Sequence, residues 1–133
     1  LALTATASGI VARDIATQLP IETCVFDQTD RPNLYIDDRR GSKAREDYLA
    51  NLVAGGEKTV VYVNSRSSSI ALARALRSKV PQLALMIGFY NAGLSREERT
   101  RIEEMFRDGH LTTLIATSAF GEGVNIPDIR HVV

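Results

Sequence analysis

The residues with the clearest chemical potential in this 133-residue chain lie near its carboxyl end. The apolar run 114–116 leads directly into two hydroxyl side chains, Thr117 and Ser118. A loop with glycines at 121 and 123 follows, and then the amide of Asn125. Hydroxyls and backbone N–H groups donate hydrogen bonds to phosphates, and glycines let the main chain approach a ligand closely. The segment therefore predicts a site for a phosphate or a nucleic-acid backbone.

Each of these residues also has an ordinary structural role. Thr117 and Ser118 could form a turn that caps its own backbone, and on local chemistry alone this role is favoured. The glycines could mark only a tight turn. Asn125 could bond a ribose hydroxyl or cap the turn at Pro127, and the sequence does not separate the two. Local chemistry alone therefore leaves the function of the segment open.

A second polar cluster, Asn64 to Arg66, follows the apolar, β-branched run 59–63. A helical pattern comes next, and the N-terminus of a helix offers free N–H groups and a partial positive charge to an anion. The alternative is that Ser65 or Ser67 caps the helix and that Arg66 is a solvated surface charge. A third polar stretch, 90–93, follows another apolar run.

The elements that must position these clusters alternate along the chain. Capping signals support two of the helices, at Ser8 and at the Ser95–Glu98 pair, which has capping-box spacing. The patterns predict strands at 1–6, 34–36, 59–63, 83–87, 111–116 and 129–133, and helices at 8–19, 42–54, 67–79 and 95–107. Such alternation predicts an α/β fold with a parallel sheet, which binds ligands at the carboxyl ends of its strands. All three polar clusters are expected at that edge.

Composition limits the kind of function. Sixteen basic and sixteen acidic residues cancel, so nucleic-acid binding would depend on local patches rather than on bulk charge. The lone Cys24 excludes an internal disulfide, and neither His110 nor His131 has partners at metal-ligand spacing. No apolar run has the roughly 20 residues of a membrane span, and no signal peptide is visible. We expect a cytoplasmic protein with no membrane partner and no metal site of its own.

Five short motifs, in order, resemble those of the second RecA-like motor domain of superfamily 2 helicases, and they are most similar to the RecQ-like DNA helicases. The motifs are Leu3–Ala7 (motif III), Arg31–Asn33 (the RPN element), Val61–Arg66 (motif IV), Tyr90–Leu94 (the YHAGL element) and Ala116–Pro127 (motif V). The resemblance implies a RecA-like fold of the P-loop NTPase type. That fold is a three-layer parallel sheet flanked by helices, here truncated at both ends.

The resemblance also implies a division of the chain. Residues 1–20 would be a remnant of the first motor domain, residues 21–33 a linker, and residues 34–133 an incomplete second motor domain. The sequence contains no Walker A motif, no DExH carboxylates and no motif VI. We therefore expect the chain to be a fragment of a helicase that uses ATP and Mg²⁺. The fragment alone is expected to be inactive and to need no cofactor.

Roles for individual residues follow from the same resemblance. The parent would couple ATP hydrolysis to movement on single-stranded DNA and to duplex unwinding, and its first RecA-like domain would be a partner of this chain. DNA is favoured over RNA. The resemblance implies nucleic-acid contacts at Asn64, Ser65, Arg66, Tyr90, Asn91, Gly93, Thr117 and Ser118, nucleotide contacts at Gly121, Gly123 and Asn125, and interdomain coupling at Thr4 and Thr6. No residue of the chain is assigned a catalytic role.

Two positions depart from the pattern, and two other functions stay open. Asn91 stands where the family usually has a titratable histidine, and Glu122 stands where RecQ proteins often have methionine. One alternative is an RNA helicase of the DEAD-box type, whose motif V usually reads ATD-x-x-ARG-x-D, whereas this chain reads ATSAFGEGVN. The other is a non-catalytic nucleic-acid-binding module with the same fold.

Overall fold

The computed structural model describes residues 7–19, 21–25, 32–39, 44–121 and 124–133. The chain divides into two compact units, residues 1–38 and residues 39–133. In the first unit, the described residues contain one helix, α1 (Gly9–Gln18). It begins after Ser8, whose hydroxyl accepts a hydrogen bond from the Val11 backbone N–H (3.4 Å). No side chain of α1 is buried. The strand predicted at 1–6 lies outside the described residues.

The second unit is a parallel sheet with helices on both faces. Its four strands have the order β2-β3-β1-β4, and every neighbouring pair is parallel. The strands are β1 (Thr59–Tyr62), β2 (Ile87–Tyr90), β3 (Thr113–Ala116) and β4 (His131–Val132), and the helices are α2 (Arg45–Ala54), α3 (Arg66–Lys79), a 3-10 helix (Pro81–Met86) and α4 (Arg96–Arg107). This arrangement confirms the predicted α/β fold class.

Consecutive apolar residues of the strands serve two separate cores. Val60 and Val61 point to opposite faces of the sheet, as successive residues of a strand must. Val61 packs against α2 and α3, in a core that includes Leu49, Leu76 and Ile115. Val60 packs on the other face, in a core with Phe106 of α4, Leu111, Leu114 and Phe120. Because the sheet is buried on both faces, apolar and polar residues do not alternate along these strands.

A buried lysine holds the segment that follows motif V. Lys58, which precedes β1, is 9% exposed, and its ammonium group lies 2.6 Å from the Asp128 carboxylate. The same nitrogen donates to the Arg107 carbonyl oxygen (3.1 Å) and lies 5.5 Å from the centre of the Phe106 ring. The hydrogen bond from Lys58 lowers the pKa of Asp128. The contact fixes the residues around Asp128 to the amino end of β1.

Two predicted strands were wrong. The strand expected at 83–87 is a 3-10 helix over Pro81–Met86, and β2 begins only at Ile87. Pro81 fixes its own φ angle at a helical value, and the Leu83 N–H then bonds the Val80 carbonyl (3.1 Å). Residues 34–36 form no strand, and their side chains are 64–91% exposed. Apolar β-type residues there have no ladder partner among the described residues.

Candidate nucleic-acid interface

Three loops leave the carboxyl edge of the sheet at the same level. Tyr62 at the end of β1 and Tyr90 at the end of β2 are both in register with Ala116 at the end of β3. Because β3 lies between β1 and β2, the loop that begins at Thr117 emerges between the other two. The Thr117 N–H donates to the Tyr90 carbonyl (3.0 Å), which joins two of these loops at their start. The predicted convergence of the three polar clusters is therefore present.

The side chains of Thr117 and Ser118 sit at the start of the loop after β3. Thr117 is half-buried and Ser118 is exposed. The turn here is closed by the backbone, because the Phe120 N–H donates to the Thr117 carbonyl (3.1 Å). Within the described part of the chain, neither hydroxyl has a hydrogen-bond partner. Both can therefore donate to a ligand at this edge.

Of the three residues in the polar cluster after β1, one has a structural role and the other two are exposed. Ser65 is the N-cap of α3: its hydroxyl accepts from the Ser68 N–H (3.0 Å) and donates to the Ser68 hydroxyl (2.7 Å). The capping role that the sequence allowed for Ser65 is therefore present. Asn64 and Arg66 are exposed. A cleft of about 330 Å³ lies beside Asn64, which lines it together with Ser68 and Arg45.

Tyr90 does not present its side chain at this edge. It is 4% exposed, and its ring packs edge-on against Phe120 with centroids 5.2 Å apart. Its hydroxyl donates to Glu103 of α4 (2.5 Å). Burial, together with the hydrogen bond to Glu103, raises the pKa of Tyr90 to about 12. The phenol belongs to the core under α4, so only the backbone of Tyr90 is at the interface.

Asn91 and Gly93 follow Tyr90 and differ in exposure. Asn91 is 3% exposed, and both ends of its amide bond groups of the protein. Gly93 is exposed. A methyl group placed on Gly93 would lie 3.4 Å from the Arg66 side chain, so Arg66 reaches from the end of β1 to the loop after β2. The structure thus brings Arg66, Gly93 and Thr117 to one edge, and it places Asn91 beneath them.

Tyr62 forms a contact at this edge that was not predicted from the sequence. Its hydroxyl donates to the Phe120 carbonyl (3.2 Å), which links the end of β1 to the glycine loop. Gly121 has φ = +126°, and a methyl group on it would lie 3.0 Å from the Tyr62 hydroxyl. Both observations show why glycine occupies position 121. The signal in the sequence was a tyrosine within the run 59–63 that leads to Asn64.

The other predicted contacts are placed unequally. Asn125 is exposed, and its amide has no partner among the described residues. Gly123, Thr4 and Thr6 lie outside the described residues. In the described ranges, no group of three or more histidine, cysteine, aspartate or glutamate side chains could hold a metal ion, and no helix is long and apolar enough to cross a bilayer.

Comparison with known proteins identifies relatives of the whole chain. A protein of Acanthamoeba polyphaga mimivirus that is named as an ATP-dependent RNA helicase is 34% identical over the full chain, which covers 24% of that protein. The rat ATP-dependent DNA helicase Q1 is 33% identical, with 22% of its length covered. The ATP-dependent DNA helicase hus2/rqh1 of Schizosaccharomyces pombe is 35% identical, with 10% covered. The chain therefore spans about a quarter or less of the length of these relatives.

Solved structures and a family model agree on the fold. S. cerevisiae Dbp5 bound to RNA and ADP BeF3 superposes with a TM-score of 0.62 at 21% identity, over 97% of this chain and 34% of Dbp5. The helicase Lhr of Mycobacterium smegmatis, bound to ssDNA and AMP-PNP, gives 0.61 at 21% identity, over 74% of this chain and 13% of Lhr. The model of the helicase conserved C-terminal domain matches residues 44–133. The chain belongs to the family of helicase conserved C-terminal domains.

Proposed function

We propose that this chain is the second motor domain of an ATP-dependent DNA helicase of the RecQ type. In that protein it would hold single-stranded DNA at the carboxyl edge of its sheet while the parent unwinds duplex DNA. The observation that carries the proposal is the pair of hydroxyls at Thr117 and Ser118, which lack partners among the described residues and lie at the same edge as the exposed Arg66. Hydroxyls and a guanidinium group bind phosphate oxygens without reading bases.

DNA is favoured over RNA by the relatives named as DNA helicases, which include the rat and S. pombe proteins. The second candidate is an RNA helicase. It is favoured by the name of the mimivirus relative and by the RNA bound to Dbp5. A phosphate-binding edge does not separate the two, because both polymers carry the same backbone charge. The choice therefore depends on a direct comparison of binding.

ATP would be contacted from the glycine loop. Gly121 and Asn125 are both exposed, so the main chain of the former and the amide of the latter fit a polar ligand; Gly123 is assigned to the same site by resemblance alone. ATP would supply the free energy of the cycle, with its Mg²⁺ bound by its phosphates and by a first RecA-like domain. The hydrogen bond from Tyr62 to the Phe120 carbonyl keeps this loop beside β1. The expected cytoplasmic location stays a prediction.

The substitution Thr117→Ala tests the proposal. Loss of one hydrogen bond should weaken binding of a fluorescent single-stranded DNA oligonucleotide by about 1 kcal/mol, or about fivefold in Kd. Anisotropy titrations with DNA and with RNA of the same sequence measure the effect and the preference between the polymers. Ser78→Ala, which removes an exposed hydroxyl in the last turn of α3, is the control.

Unchanged DNA affinity in Thr117→Ala would contradict the placement of the strand. Tighter binding of RNA than of DNA would replace the proposal with the second candidate. In a protein that joins this chain to a first motor domain, Thr117→Ala should also lower DNA-stimulated ATP hydrolysis, because a poorly held strand cannot promote closure of the two domains.

A further inference from the structure

The side chain of Asn91 is enclosed by the protein. Its Nδ2 atom donates to the Ser69 hydroxyl (3.0 Å), and its Oδ1 atom accepts from the Gly93 N–H (2.9 Å). The Gly93 N–H can only donate, so the oxygen of the amide must face it, and this settles the orientation of the Asn91 side chain. With 3% exposure and both ends satisfied, Asn91 has no free group to offer a strand.

The hydrogen bonds continue from Asn91 to the first turn of α3. Ser69 is fully buried, and its hydroxyl donates to the carbonyl oxygen of Arg66 (2.7 Å). The Ser69 hydroxyl thus accepts one hydrogen bond from Asn91 and donates one to Arg66. The result is an unbroken relay from the backbone of Gly93, through two buried side chains, to the backbone of Arg66.

The side chain of Arg66 lies over the other end of this relay. A methyl group on Gly93 would lie 3.4 Å from both Cδ and Nη1 of Arg66, and 3.0 Å from Oδ1 of Asn91. The distances to Arg66 are ordinary van der Waals contacts, so the arginine side chain lies directly against Gly93, and the tighter contact is with Asn91. Arg66 is exposed, and it forms no ion pair within the described part of the chain, so its charge is available to a ligand.

We propose that Asn91 is a positioning residue for Arg66 and does not itself contact the strand. It fixes the loop at Gly93 and the first turn of α3 relative to each other, so that the guanidinium group of Arg66 is held above the edge of the sheet for a phosphate. This inference rests on the proposed function, since it specifies how one cation of the interface is oriented. Every hydrogen bond in the relay joins two uncharged groups, either backbone groups or the side chains of Asn91 and Ser69.

The test uses the salt dependence of binding to single-stranded DNA. Each phosphate neutralised on a single strand contributes about 0.7 to the slope of log K against log salt concentration. Arg66→Ala should therefore lower the slope by about 0.7. Asn91→Ala should lower it by a similar amount, although it removes no charge, and Ser69→Ala should do the same. A variant that was only less stable would lose active protein and would keep the slope.

A double variant and a control complete the design. Asn91→Ala should have no further effect on binding in the Arg66→Ala background, because the two substitutions remove the same contact. Thr113→Val removes another buried hydroxyl, which has no partner among the described residues, and it should keep the wild-type slope. If Asn91→Ala does not fold, Ser69→Ala carries the comparison.

The possible failures are distinguishable. A lower slope in Arg66→Ala with a wild-type slope in Asn91→Ala and Ser69→Ala would overturn the positioning role and leave the proposed function intact. A wild-type slope in Arg66→Ala would overturn the positioning role and also remove Arg66 from the proposed interface. Additive effects in the double variant would show that Asn91 acts independently of Arg66, which would also overturn the inference.

Discussion

At the scale of single residues, Tyr90 shows how the fold accommodates a polar hydroxyl group in the apolar core. Its ring fills the core between the sheet and α4, where it meets Phe120, and its hydroxyl donates to Glu103. Ionising this phenol would put a negative charge into the core beside a carboxylate. The folded protein therefore raises the pKa of Tyr90 to about 12, and the phenol stays protonated at pH values where an exposed tyrosine would ionise.

The raised pKa of Tyr90 predicts a loss of stability at high pH. Below about pH 10 the phenol is protonated in both states, and its contribution to folding is complete. Between about pH 10 and 12 the unfolded chain releases the proton and the folded chain retains it, so stability falls as pH rises. Between about pH 9 and 11.5 the wild type should lose about 2 kcal/mol more than Tyr90→Phe.

Urea unfolding at about pH 9, 10.5 and 11.5, a series that starts below the ordinary pKa of tyrosine and rises toward the raised pKa of Tyr90, measures this difference. The control is Tyr35→Phe, which changes a tyrosine that is 91% exposed. Parallel stability curves for the wild type and Tyr90→Phe across the whole range would contradict the prediction.

Some residue-scale roles were readable from the sequence and others were not. The caps at Ser8 and Ser95 depend only on spacing within a few residues, so the sequence predicted both. The burial of Tyr90 and Asn91 depends on where α4 and α3 pack, which is a matter of tertiary contacts. Position alone assigned both residues to the edge of the sheet. Their side chains lie beneath it.

At the scale of elements, α4 has the most complete local signal in the chain. The Glu98 N–H donates to the Ser95 hydroxyl (3.2 Å), and the Ser95 N–H donates to the Glu98 carboxylate (2.7 Å). These two bonds satisfy backbone groups that would otherwise lack partners at the start of the helix. The cap fixes where α4 begins, and Phe106 near its other end anchors it in the core.

Removing this cap should destabilise the second unit measurably. Ser95→Ala should lower the free energy of unfolding by about 1 kcal/mol, because the first turn of α4 loses its side-chain acceptor. Chemical denaturation followed by circular dichroism gives the value. Ser78→Ala, an exposed serine with no capping role, should stay within about 0.5 kcal/mol of the wild type. Equal effects of the two substitutions would show that the cap adds nothing specific.

Element prediction failed where local pattern and context disagreed. The run 83–87 has strand-like residues, but Pro81 starts a 3-10 helix that uses most of the run before β2 begins. The run 34–36 is similar in composition, yet a strand also needs a neighbour to pair with. The residue types of a segment indicate only how well it fits a strand. Whether a strand forms depends on a pairing partner from another part of the chain.

At the scale of the whole molecule, the alternation of strands and helices was enough to predict the parallel sheet. Alternation does not say which strands are neighbours, so it left the order β2-β3-β1-β4 open. That order places the loop after β3 between the loops after β1 and β2. The strand-end positions of the candidate interface were therefore predictable, whereas the contact between Arg66 and Gly93 was not.

The same scale decides what the chain can catalyse. Phosphoryl transfer in this class of ATPase needs a Walker A lysine, carboxylates that hold Mg²⁺, and an arginine that stabilises the transition state. The sequence contains none of the motifs that supply them. The 133-residue chain should therefore release no phosphate above background from ATP with Mg²⁺ and single-stranded DNA. A phosphate-release assay measures this, and turnover abolished by Asn125→Ala would contradict it.

The level ends of three strands also set a length. Neighbouring strands lie about 4.8 Å apart, so the loops after β1 and β2, with β3 between them, are separated by about 10 Å. A stacked strand advances about 3.4 Å per nucleotide, so the edge spans about three nucleotides. The spacing of the strands, rather than any recognition of bases, would thus define the shortest oligonucleotide that can touch all three loops at once.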